Sequence, residues 1–127
     1  MIVHLTSFTE WQAAQSAGAY IAPSLAGEGF IHCSTEHQIV RVANAFYTGK
    51  MGLILLVIDP ARLTAPMQWD DPAHPAASAP SSISNAEKFP HIYGAINLDA
   101  VIKIVTFEPD PDGSFSLPSA LTTNDNR

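Results

Sequence analysis

One cysteine in 127 residues, Cys33, leaves no partner for an internal disulfide, so the fold must rest on packing alone. Cations are also scarce: six Lys plus Arg stand against twelve Asp plus Glu, a formal net charge of −6. Arg41, Arg62 and Arg127 are scattered, with no basic stripe. Binding along a phosphate backbone requires clustered cations, so no nucleic-acid partner is expected. No apolar run approaches the ~20 residues of a membrane helix, so no membrane partner is expected either. The longest such run is Leu53 to Ile58, LILLVI. The N-terminal MIVHLTSF lacks the basic start and apolar stretch of an export signal, and the expected location is cytoplasmic. No repeat of 20 to 50 residues is present, which excludes a solenoid.

What is present is a mixed pattern of short strands and two main helices. Ile2 to Thr6 predicts a strand with Val3 and Leu5 on one face, His4 and Thr6 on the other. Ser7-Phe8-Thr9-Glu10 matches the capping box S-x-x-E, so a helix should run from Phe8 to Ala17, with Phe8, Trp11 and Ala14 or Gln15 on one face, and stop at Gly18. Tyr20 to Leu25 is expected to be extended or looped around Pro23. Gly29 to Cys33 predicts the second strand. A second helix, from Glu36 to Tyr47, is capped by Ser34 or Thr35 and places Ile39, Val40, Ala43, Phe46 and Tyr47 at a helical period. Leu53 to Ile58 predicts a central strand, and Ala65 to Trp69 a short one. Asp70 to Ala86, with three prolines and four serines, has the composition of one long loop. Asn97 to Ala100 suggests one helical turn, Val101 to Glu108 a strand, and Phe115 to Leu117 a short returning strand. The expected domain is one α+β unit over residues 1–117, followed by a frayed polar tail over 118–127.

His4-x-Thr6, His32-x-Ser34 and His91-x-Tyr93 share one dyad. In extended chain each histidine and its hydroxyl partner point to the same side. Should the three segments be neighbours, their neutral donors and acceptors form a surface suited to a ribose, an amide or a phosphate oxygen. Cys33 points away from His32 and is expected in the core as a small hydrophobe. His37 is expected on the surface, and His74 in the long loop has no assigned role. Neither H-x-x-x-H nor C-x-x-C occurs, so no metal is expected. No G-x-S-x-G elbow supports a serine nucleophile. A lone strand histidine is more often structural than catalytic, so the dyads must be weighed against that alternative.

GFIHCSTEHQIVRVANAFYTG, LILLVID and FPHIYGAINLDAV, in that order, resemble a family of small bacterial proteins called domain of unknown function 952. A deeper similarity is to the ADP-ribosyltransferase-like fold, in its tRNA 2′-phosphotransferase branch, in which H-G-T and V-H-L-S strands each lead into a helix. In IVHLTSF, His4 and Thr6 match the H and T, and Leu5 stands at the glycine; in FIHCS, His32 matches the second histidine, with LLVID following. The third position falls near FPHIYG, at His91 or Tyr93, with Glu87 the nearest acid. This resemblance implies a split antiparallel or mixed β-sheet with two main helices and a pocket for NAD or an ADP-ribose-like nucleotide. It implies His4 on the ribose hydroxyls, His32 on the nicotinamide ribose or a phosphate, and Tyr20 or Tyr93 against a ring.

The expected function is therefore binding of a small nucleotide-like ligand, with glycosyl or phosphoryl transfer as the reaction if it is an enzyme. His4, His32 and His91 are the candidate catalytic residues; Thr6, Tyr20, Ser34, Tyr93 and Gly94 are candidate ligand contacts. The alternatives are a non-catalytic binding module, which keeps the cleft without turnover, and a protein-interaction module with an unknown partner, which needs no cleft at all.

Overall fold

The computed structural model describes residues 1–71 and 87–122. Its elements in chain order are strand β1 (Ile2–Ser7), helix α1 (Phe8–Ala17), β2 (Ala19–Tyr20), α2 (Pro23–Glu28), β3 (Ile31–His32), α3 (Ile39–Phe46), β4 (Leu53–Ile58), β5 (Met67–Asp70), β6 (Phe89–Ile92), β7 (Ile96–Asn97), β8 (Val101–Thr106) and α4 (Ser119–Thr122). The protein is α+β, and every strand pair among the described residues is antiparallel. One sheet has the order β1-β4-β8, a second β3-β6-β5, and β2 pairs with β7.

The central strand is LILLVI, as its composition suggests, and all six of its residues are buried. It is buried on both faces because alternate side chains enter different cores. Ile54, Leu56 and Ile58 join Ile2 of β1, Trp11 of α1, Ile31 of β3 and Ile92 of β6. Leu53, Leu55 and Val57 join Val3, Ile39 and Ala43 of α3, and the stacked rings of Phe107 and Phe115.

β1 follows the predicted alternation. His4 lies opposite Leu56 and Thr6 opposite Ile54 in the ladder, so both polar residues share the face of the first core. On its other edge β1 makes one bridge, Val3 to Ser34, with both backbone bonds at 2.8 Å. The pairing then stops, and β1 parts from β3.

Several local expectations are corrected. Of the face expected for α1, Trp11 and Ala14 are buried, but Phe8 at the first helical position is 51% exposed. The segment around Pro23 is helical: Pro23 takes the first helical position, where its missing N–H costs nothing, and Gly29 closes α2. Phe115–Leu117 is not a strand; the Asn44 side chain supplies both partners of the Phe115 backbone, donating to its carbonyl and accepting from its N–H. Ser119–Thr122, within the stretch expected to fray, form a short helix with Leu121 at the edge of the second core. Of the long loop predicted over 70–86, Asp70 instead ends β5, and residues 72–86 lie outside the described residues.

Candidate functional site

Where β1 parts from β3 the chain forms an open cavity of about 580 Å³. It is lined by His4, His32 and His91 and by Thr6, Tyr20 and Ser34. The three histidines arrive from three strands. His32 and His91 are directly opposed in the β3–β6 ladder, with ring centroids 5.4 Å apart. The His4 ring reaches across the parting strands, its Nδ1 2.5 Å from the His32 carbonyl oxygen. Since a carbonyl only accepts, Nδ1 carries the proton.

Each imidazole has a different setting. His4 is buried, and its Nε2 lies 2.9 Å from the Tyr20 hydroxyl. Burial pulls its pKa down to about 4, against the opposing pull of the His32 carbonyl. Half-buried His32 places Nε2 2.9 Å from Glu28 of α2. His91 is 2% exposed and sets Nδ1 3.0 Å from Asp70. The Asp70 carboxylate also accepts the Tyr93 hydroxyl proton, and that bond, with His91, holds Asp70 below the usual carboxylate range. Phe30 stacks on His91 at 4.1 Å and meets His32 edge-on at 4.9 Å, fixing both rings.

Six of the eight residues expected at the site thus line one cavity. Tyr93 and Gly94 do not: Tyr93 turns its hydroxyl to Asp70, and Gly94 is a packing position, where a Cβ would lie 2.8 Å from that of Ala65. Cys33 is buried, and burial pushes its thiol pKa far up, so it behaves as the inert hydrophobe expected. Glu87, the nearest acid in sequence, is held by Arg41 at 2.5 Å and by the Gln38 amide at 3.0 Å. Among the described residues no group of three or more His, Cys, Asp or Glu could hold a metal ion.

The dyad pattern does not point to Glu10, Glu28, Phe30, Asp70 or Lys50. Glu10 had a detectable signal, since the capping box fixes it one turn from Thr6, and its carboxylate accepts the Thr6 hydroxyl at 2.8 Å. Glu28 lies four residues before His32, but only α2 brings the two together. Asp70 reaches His91 through the β5–β6 ladder, which sequence spacing does not reveal.

The family model described as Protein of unknown function (DUF952) matches residues 5–104, and the chain belongs to that family. The crystal structure of CC0527 from Caulobacter crescentus is 24% identical, with a TM-score of 0.79, over 96% of this chain and 98% of that one. The solution structure of CC0527 is 25% identical, with a TM-score of 0.69, over 94% and 97%. A search of curated proteins finds no match. The fold is thus shared along nearly the whole chain. Among the described residues no helix is long and apolar enough to cross a membrane.

Proposed function

We propose that the cavity binds a small nucleotide-like molecule, with NAD and ADP-ribose as the ligands to test. The convergence of three histidines and three hydroxyl residues on one cavity carries this reading. Its volume is in the range of small-molecule sites, about 300–1,000 Å³. The lining is largely apolar with a few polar groups, which suits ribose hydroxyls and an amide. Lys50 is the cationic side chain it offers to a phosphate. The parting of β1 from β3 after one bridge favours a split-sheet architecture of the ADP-ribosyltransferase kind.

In this reading His91 is the acid/base group. Asp70 accepts from its Nδ1–H and fixes the tautomer in which Nε2 accepts a proton from a ligand hydroxyl or water. His32, paired with Glu28, hydrogen-bonds the ligand at the cavity mouth. Non-catalytic binding is the second reading, favoured by the apolar lining.

The test is an amide NMR titration of the whole chain with NAD and then ADP-ribose, with His4→Ala and His32→Ala as controls. Shifts are expected at His4, Thr6, Ser34 and His91. Removing the His32 ring should weaken binding about tenfold, the ~1.4 kcal/mol of one such bond. No shift with either ligand at millimolar concentration overturns the nucleotide reading. If His91→Gln binds normally and the wild type forms no product, the cavity is a binding module.

A further inference from the structure

A continuous chain of hydrogen bonds runs from the exposed Glu10 into the interior. The Thr6 hydroxyl lies 2.8 Å from Glu10 Oε1, the Tyr20 hydroxyl 2.8 Å from Thr6 Oγ1, and His4 Nε2 2.9 Å from the Tyr20 hydroxyl. His4 Nδ1 then ends the chain on the His32 carbonyl at 2.5 Å. Thr6, Tyr20 and His4 are only 4%, 2% and 7% exposed, so the links lie within the protein.

Counting protons gives the chain its property. It has four links, and each needs one hydrogen. A neutral imidazole, a phenol and a hydroxyl bring three, and an ionised carboxylate brings none. One link therefore lacks its hydrogen until a further proton binds. With that proton every link is filled in either of two arrangements. In one, His4 is an imidazolium donating to Tyr20, Tyr20 donates to Thr6, and Thr6 donates to the Glu10 carboxylate. In the other, a protonated Glu10 donates to Thr6, Thr6 to Tyr20, and Tyr20 to His4 Nε2.

We propose that Glu10, Thr6, Tyr20 and His4 form a relay that takes up one proton as a unit and passes it between the exposed carboxylate and the buried imidazole. The proton enters from solvent at Glu10. Three shifts follow, Glu10 to Thr6, Thr6 to Tyr20, and Tyr20 to His4 Nε2, leaving Glu10 ionised and both hydroxyls restored. All four side chains line the cavity, so the relay runs along its wall. The relay does not depend on the cavity's occupant being a nucleotide. Burial brings the His4 imidazole down to about 4, so the buried end of the chain does not hold the proton at neutral pH. The other titratable groups around the cavity are His32, Cys33 and His91 from the β3–β6 side, and Tyr47 and Lys50 beyond α3. Burial raises the pKa values of Cys33 and Tyr47, so both are neutral where the relay fills, and a charge on His32 opposes one on His4.

The experiment is an NMR pH titration of the whole chain without ligand. It follows the His4 ring nitrogens and the Glu10 carboxyl carbon together. Because the two groups share one proton, both signals should show a step at one common midpoint. Thr6→Ser, which keeps the hydroxyl, should preserve it. Tyr20→Phe, which removes the middle link, should split it into two separate midpoints. Independent midpoints in the wild type, or a common midpoint that survives Tyr20→Phe in a folded variant, overturn the relay.

Discussion

At the level of single residues, His4 ties stability to pH. Its folded pKa of about 4 lies below the ordinary 6.5 because burial disfavours the charged ring. The unfolded chain therefore binds more protons between those values, and stability must fall as the solution is acidified. The His4 contribution is fully present above pH 6.5 and is lost on the way down to pH 4, a total of ~3 kcal/mol. Urea unfolding of the wild type and of His4→Asn, at about pH 7.5 and about pH 4, isolates it, because other groups titrate in both proteins. The wild type should lose ~3 kcal/mol more than the variant; equal losses would mean the ring is hydrated. The dyad pattern made His4 legible in the sequence, because strand alternation alone puts it beside Thr6. The Glu28 and Asp70 partners were not legible, since they depend on α2 and on the β5–β6 register.

Among the elements, α1 was legible to the residue because its ends are written in local chemistry. Ser7 accepts from the Glu10 N–H at 3.1 Å, and Gly18 adopts a φ of 92° while its N–H caps the Ala14 carbonyl. Ser7→Ala should cost ~1 kcal/mol by loss of the cap. Gly18→Ala should cost ~1 kcal/mol because a Cβ disfavours the left-handed region. Thermal unfolding of the two variants checks both, and a melting point unchanged in either would contradict the capping assignment. The Glu10 carboxylate does not close the box on Ser7 but turns to Thr6, so the cap also aims the acid at the cavity. α2 was illegible because PSLAGE has no apolar period and no buried residue; Pro23, around which an extended or looped segment is expected, instead opens the helix. Phe115–Leu117 failed for the opposite reason: apolar alternation suggested a ladder, but the Asn44 side chain satisfies the backbone there.

For the whole molecule, composition and periodicity indicated an α+β chain. They did not indicate that two sheets meet at the single Val3–Ser34 bridge, beside which the cavity opens. Such a contact depends on where β3 stops, and β3 is two residues long. The same architecture makes β4 the mechanical link between both cores. Leu55 packs with α3 and the Phe107–Phe115 stack, while Leu56, its neighbour, packs with Trp11 on the opposite face. Neither core can lose β4 without the other losing it too, so the chain should unfold in one cooperative step. Leu55→Ala tests this from the far side of the sheet. The fully buried leucine leaves a cavity that costs 2–5 kcal/mol, on the order of values for buried leucines. In a Trp69→Phe background, which silences the exposed second indole, fluorescence reports Trp11 alone. The Trp11 transition should move to lower urea by the same free energy as the far-ultraviolet circular dichroism transition, although Trp11 belongs to the other core. A Trp11 transition left in place while the helical signal moved would show that the two cores unfold separately, and β4 would not couple the cavity side of the sheet to the α3 side.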